Sequence, residues 1–241
     1  MAKPKTSEAE HIEKAKAALL AAALPHVVFD GWSRETLRLA MGDCAVDAGL
    51  AQQAYPRGAI DMALAFHRRG DDLMVQRMLA QNQSGVRYRD RIMAAVRTRL
   101  MVVSGEKDIV RRGITLLSMP AHIGEGTAAV WQTCDAIWTA LGDTSDDINW
   151  YTKRATLSAV YSSTVLFWLG DTSVDDTDTW AFLDRRIENV MQFEKLKAGA
   201  RKNPLIRGFM NGPGRLLDRL RAPSKSPRRD LPGYVENQFE R

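Results

Sequence analysis

The sequence predicts an all-α protein, and three observations lead there. Residues 155–169 (ATLSAVYSSTVLFWL) carry no charge, are fenced by Lys153 and Arg154 before and by Gly170 and Asp171 after, and are polar only through small hydroxyls. Such a stretch reads as a buried helix with no polar face, which has to be surrounded by other helices. Apolar residues recur at helical spacing along the rest of the chain, and no convincing strand pattern competes with them. Finally, 241 residues with 45% hydrophobic content suffice for one large domain with a real core, alone or with an extension.

The first helix is expected over 7–24, with Ile12, Ala15, Leu19, Ala22 and Ala23 on one side and an end at Pro25, because the residue before a proline resists helix. Ser33 caps a second helix over 34–47, which Gly49 closes. A very short piece follows over 50–55. Pro56 then starts a long helix to about Gln81, with Ile60, Leu64, His67, Leu73 and Met78 as candidate inward positions and Gly70 as a kink. Amphipathic segments over 86–103, 106–119 and 123–141 come next, the last with Trp131, Cys134, Trp138 and Leu141 on a wide apolar face. The acidic, hydroxyl-rich loop 171–178 suits the free amides at a helix start. Beyond it Trp180, Leu183, Ile187, Val190 and Met191 mark the final helix of the body.

Charge is distributed unevenly. From Lys197 to the end there are eleven Lys and Arg against four Asp and Glu, so the net +5 of the chain leaves −2 for everything before. A partner of negative charge is therefore sought at the C-terminus. No run of 18 apolar residues is present, and the uncharged helix, at fifteen residues, falls short of the ~20 needed to cross a bilayer. The opening MAKPKTSEAEHIEKAK has no apolar core and carries acids, so a cytoplasmic protein is expected. Cys44 and Cys134 lie far apart within helical patterns, which fits buried thiols.

A short helix, a turn, a very short helix and then long helices form a helix-turn-helix head on a helical body, the plan of one-component regulators. DNA binding is thus the first hypothesis raised. Against it, residues 50–56 (LAQQAYP) hold no Lys or Arg where major-groove reading wants several, so the head is read as degenerate and no nucleic-acid partner is expected. Catalytic and metal chemistry find little support. Glu8 and His11 have metal-ligand spacing but no second copy, His26, His67 and His122 lack ligand neighbours at metal spacing, and loop 171–178 lacks the glycine and glutamate of a calcium loop. No nucleophile elbow is present, and neither an enzyme nor a cofactor is expected.

Two features rise above this background. The uncharged helix could line a greasy cavity with a few polar contacts, or equally form a close-packed core whose hydroxyls bond back to the preceding turn. Candidate lipid-contacting residues are Trp131, Cys134 and Trp138 with Leu157, Val160, Tyr161, Thr164 and Phe167. The second is the amphipathic C-terminal segment 198–222, where a helix gathers Leu205, Ile206, Phe209, Met210, Leu216, Leu217 and Leu220 beside Arg207, Arg215, Arg219 and Arg221, a pattern that suits an anionic membrane surface. Residues 212–214 (GPG) must bend it. The expected organisation is a disordered N-terminus over 1–6, a helical domain over 7–197, this segment, and a flexible basic tail over 223–241.

Six motifs in order carry a family resemblance: LPHVVFDGWS (24–33), YPRG (55–58), DAIW (135–138), GDTS (142–145), NWYTKR (149–154) and TWAFLDRRIENVM (179–191). Together they resemble the ubiquinone-biosynthesis accessory proteins with a TetR-like fold, over roughly 11–197. The resemblance implies an all-α, TetR-like, homodimeric lipid-binding protein without catalysis. It would hold an isoprenoid quinone precursor or related lipid, present it to the demethoxyubiquinone hydroxylase or its equivalent, and touch the inner face of the cell membrane peripherally through its C-terminal helix. It also implies that Trp150 and Tyr151, with Arg154 as the neighbouring base, meet the hydroxylase. The alternative is a TetR-like, ligand-responsive DNA-binding regulator.

Overall fold

The computed structural model describes residues 5–81, 85–200 and 221–223, with side chains described at 8–81, 85–192 and 221–223. The chain divides into two compact units, Met1–Asp143 with Arg154–Gln192, and Thr144–Lys153 with Phe193–Arg241. Among the described residues there are α-helices and two 3-10 turns and no strands.

Helix α1 (Lys5–Asp30) runs straight through Pro25, against the expectation that it would end there. Leu19, Ala23 and Val27 follow one another at four-residue spacing and are all 0% exposed, so the buried stripe continues across the proline. Packing on that stripe outweighs the roughly 3 kcal/mol that a proline costs inside a helix. The helix stops at Gly31, whose φ is 65° and whose N–H donates to the Val27 carbonyl at 3.0 Å.

Ser33 caps α2 (Arg34–Cys44) as the sequence implies, its Oγ accepting from the Thr36 amide at 3.1 Å. The expected extension to residue 47 fails because Asp47 is taken up elsewhere. Its carboxylate accepts from the Leu50 amide at 3.0 Å and so caps α3 (Ala48–Ala54), while Ala45 turns the chain with a φ of 51°. The Tyr55 hydroxyl donates to the Lys16 carbonyl at 2.9 Å, fastening the end of α3 to α1. The long fourth helix, α4 (Ala59–Ala80), starts after Gly58 rather than at Pro56, because Gly58 (φ 62°) reverses the chain and Asp61 accepts from the Arg57 amide at 2.8 Å.

The body continues with α5 (Tyr88–Met101), α6 (Lys107–Leu117) behind a 3-10 turn over Ser104–Glu106, α7 (Ile123–Ala140), α8 (Ile148–Gly170) and α9 (Thr177–Ala200). Within the first unit, α1 packs on α2, α3 and α6, and α4 packs on α5 and α7. The acidic loop caps α9: the Asp171 carboxylate accepts from the Thr179 hydroxyl and amide and from the Ser173 amide, which holds its carboxyl well below the usual range.

Helix α8 departs from expectation in an instructive way. Leu157, Val160, Tyr161, Thr164, Val165 and Trp168 are buried, yet Leu166 is 63% exposed and Phe167 38%. The helix is not surrounded. Its lack of charge reflects a core on one flank and a cavity on another.

Candidate functional site

The first unit encloses a cavity of about 640 Å³, a size ordinary for a small-molecule site. Helices α4 to α8 wall it. Most of the wall is apolar, with Phe66, Leu100, Val103, Ile114, Val165 and Trp168 contributing the larger side chains. Ile123 and Leu166 line it and also reach the surface, at 58% and 63% exposure, so they mark its mouth. Arg99 and Tyr161, each 4% exposed, together with His67, mark its floor.

That floor holds a hydrogen-bonded cluster from three helices, with Tyr161 of α8 beside it. Arg99 Nε on α5 donates to Asp71 Oδ1 on α4 at 2.7 Å, and Arg99 Nη2 donates to the His67 carbonyl at 3.0 Å. Thr133 Oγ1 on α7 donates to Asp71 Oδ1 at 2.9 Å and lies 2.8 Å from His67 Nε2. A hydroxyl has one proton, and Asp71, His67 and the Ala129 carbonyl, at 3.2 Å, all lie within its reach. Burial, reinforced by the charge of Arg99, pushes the His67 pKa down to about 4, so the ring is neutral near pH 7. Burial likewise pushes the Tyr161 hydroxyl up to about 12, keeping it protonated.

Gly70 explains how an arginine fits here. A Cβ at this position would lie 2.6 Å from Arg99 Cζ, so the guanidinium rests directly against the backbone of α4. The expected kink is absent. α4 is continuous, and the glycine serves close approach instead.

Of the residues singled out from sequence for lipid contact, Trp131 and Tyr161 line the cavity. Cys134, Trp138, Leu157, Val160 and Thr164 are buried in the surrounding core, and Phe167 stacks on Phe182 with centroids 4.5 Å apart. Arg154 is not a surface base. It is 1% exposed, its Nε donating to Asp135 at 2.6 Å and its Nη1 to Asp143 at 3.1 Å. In the second unit, Trp150 meets the Tyr151 ring edge-on at 4.8 Å, and the Tyr151 hydroxyl donates to the Arg221 carbonyl at 3.1 Å. The membrane candidates Leu205, Ile206, Phe209, Met210, Leu216, Leu217 and Leu220 lie outside the described residues.

Sequence reasoning missed Asp71, Arg99 and Thr133, took Gly70 for a kink, and set His67 aside for want of a neighbouring carboxylate. Asp71 is that carboxylate, four residues on and 3.7 Å away. The spacing places both on one face of α4 and was the available signal. Among the described residues no group of three or more His, Cys, Asp or Glu could hold a metal ion, and no helix is long and apolar enough to cross a membrane.

The cavity's α7 and α8 walls fall in a stretch with known relatives. Residues 123–194 match the COQ9 family. The chain is 31% identical over 191 residues to the probable ubiquinone biosynthesis protein coq9, mitochondrial, of Dictyostelium discoideum, covering 76% of this chain and 61% of that protein. It is 30% identical over 192 residues to the human ubiquinone biosynthesis protein COQ9, mitochondrial, covering 76% and 59%. The chain thus spans about 60% of the length of these curated relatives. The resemblance read from the six motifs is to this same family. In three dimensions the chain is similar to a TetR transcriptional regulator from Nitrosomonas europaea, with a TM-score of 0.59 at 19% identity, covering 72% of this chain and 96% of that one. The fold is all-α and TetR-like. Helix α3 has the sequence AGLAQQA and no cation.

Proposed function

We propose that this protein is a non-catalytic accessory factor of ubiquinone biosynthesis that holds an isoprenoid quinone intermediate in the α4–α8 cavity. It delivers that lipid to a membrane-associated hydroxylase, the demethoxyubiquinone hydroxylase or its equivalent. The observation that carries the reading is the cavity itself: large, mostly apolar, reaching the surface at Ile123 and Leu166, with a few polar groups gathered at one end. The relatives' names, which place them in ubiquinone biosynthesis, supply the pathway. Burying a polyprenyl chain returns about 0.8 kcal/mol per CH₂, which offsets its removal from a bilayer and keeps transfer near balance.

In this reading the protein is a homodimer at the inner face of the cell membrane, held there by segment 198–222, with Trp150 and Tyr151 on the side that meets the hydroxylase. Arg154 serves the fold, since Asp135 and Asp143, to which it donates, lie within its own unit. A DNA-binding regulator is the weaker reading, because α3 offers no charge to phosphate.

The test is organic extraction and mass spectrometry of the protein purified without detergent from its native host. A near-stoichiometric isoprenoid quinone or precursor is expected, and a folded protein that carries no lipid would overturn the reading. Liposome flotation of a chain lacking residues 203–241 examines the membrane part, with loss of association the expected outcome.

A further inference from the structure

The floor of the cavity holds more hydrogen-bonding capacity than a hydrocarbon chain can use. Arg99 and Asp71 neutralise each other across 2.7 Å, and His67 is uncharged, so the floor carries no net charge. Its polar groups are not exhausted. The Tyr161 hydroxyl makes no hydrogen bond among the described residues and its side chain lines the cavity. One unspent hydroxyl thus stands at the buried end of an otherwise greasy cavity.

We propose that this floor is a head-group subsite for a neutral oxygenated ring, entered head first. Tyr161 donates to a carbonyl or ether oxygen of the ring, the ring lies beside His67, and the hydrocarbon tail runs past Val165 to the mouth at Ile123 and Leu166. The inference rests on the reading that the cavity holds a prenylated ring, and it adds the orientation and the selectivity. An anionic head, phosphate or carboxylate, is rejected because it would bring an unpaired charge into a buried site whose one cation is already held by Asp71. A pure hydrocarbon leaves the Tyr161 hydroxyl unsatisfied. Delivery then requires the ring to leave the floor, so the cavity shelters the head until the transfer step.

The experiment compares three probes with one chain, 2-farnesylhydroquinone, farnesyl phosphate and farnesane, titrated calorimetrically into the full-length protein and its Tyr161→Phe variant. The hydroquinone should bind at least tenfold more tightly than either other probe, and Y161F should remove about three- to tenfold of that advantage while leaving farnesane unchanged, as one hydrogen bond dictates. A farnesylhydroquinone with a photoreactive group on the ring should label peptides containing His67 or Tyr161 rather than the turn around Ile123. Equal or tighter binding of the phosphate, an equal loss for all probes in Y161F, or labelling at the turn would overturn the inference. If farnesane matches the hydroquinone, lipid holding stands and the head-group assignment falls. If none of the three binds a folded protein, both fall.

Discussion

Two buried arginines do different things in this molecule. Arg154, near the start of α8, is 1% exposed and forked between Asp135 and Asp143, the latter with a side chain 2% exposed. Arg99, 4% exposed, has Asp71 as its carboxylate and a cavity beside it. Both satisfy the rule that an interior charge must be paired. Only Arg99 stands beside an enclosed volume, with a neutral His and a protonated Tyr as neighbours. A buried ion pair therefore marks a site only when space and unspent hydrogen bonds accompany it, and Arg154 has no such space assigned to it.

Substituting Arg154 tests the structural half of that contrast and should have the largest effect. Arg154→Ala takes a buried cation away from the buried Asp143 carboxylate, and breaking a buried pair in this way costs about 3–5 kcal/mol. Urea unfolding should show that loss, while whatever protein remains folded should bind cavity ligands with unchanged affinity. Weakened ligand binding in the folded fraction would erase the distinction between the two arginines.

The next effect belongs to the cavity floor and is driven by pH. His67 has a pKa of about 4 in the folded protein, below the value of about 6.5 expected when unfolded. Between these pH values the unfolded chain binds the extra proton, so stability falls as pH drops from about 6.5 to about 4 and changes no further from this group below that. The integrated loss is on the order of 3 kcal/mol. Unfolding curves at several pH values should show this slope, and His67→Gln should flatten it. An identical slope in the variant would place the titration elsewhere.

Gly70→Ala sharpens the comparison further, because only Arg99 depends on a glycine. The added methyl meets the guanidinium at 2.6 Å, and Arg99 cannot swing aside without leaving Asp71 and the His67 carbonyl. Overpacking of this kind costs about 1–3 kcal/mol. The loss should appear as a lower unfolding midpoint at unchanged slope, together with a changed ligand affinity that Arg154→Ala does not produce.

How much of this the sequence discloses depends on how local the cause is. Helix order, the Ser33 cap and the Asp171 cap are written in neighbouring residues, and all three are found. Pro25 misleads because what carries α1 past it is packing by Leu19, Ala23 and Val27 on other helices. Trp131 and Tyr161 line the cavity whereas Leu157 and Val160 do not, because periodicity reports which face of a helix is turned inward and is silent on whether that face meets side chains or space. The floor was least legible. Its members come from α4, α5, α7 and α8, and only the His67–Asp71 spacing with Gly70 between them leaves a local trace.

The smallest effect examines that trace at its junction. Thr133 Oγ1 joins Asp71 to His67, and Thr133→Val removes the hydroxyl at nearly constant volume. Asp71 keeps Arg99, so the loss should be near the net worth of one hydrogen bond, about 1 kcal/mol. The more telling readout is the imidazole. In the parent protein ¹⁵N shifts should report a neutral imidazole in a single tautomer, selected by the contact with the Thr133 hydroxyl. Without that hydroxyl the tautomers should mix. A single unchanged tautomer in the variant would mean that the floor is held by Arg99 and Asp71 alone, and would make the two buried arginines more alike than their surroundings imply.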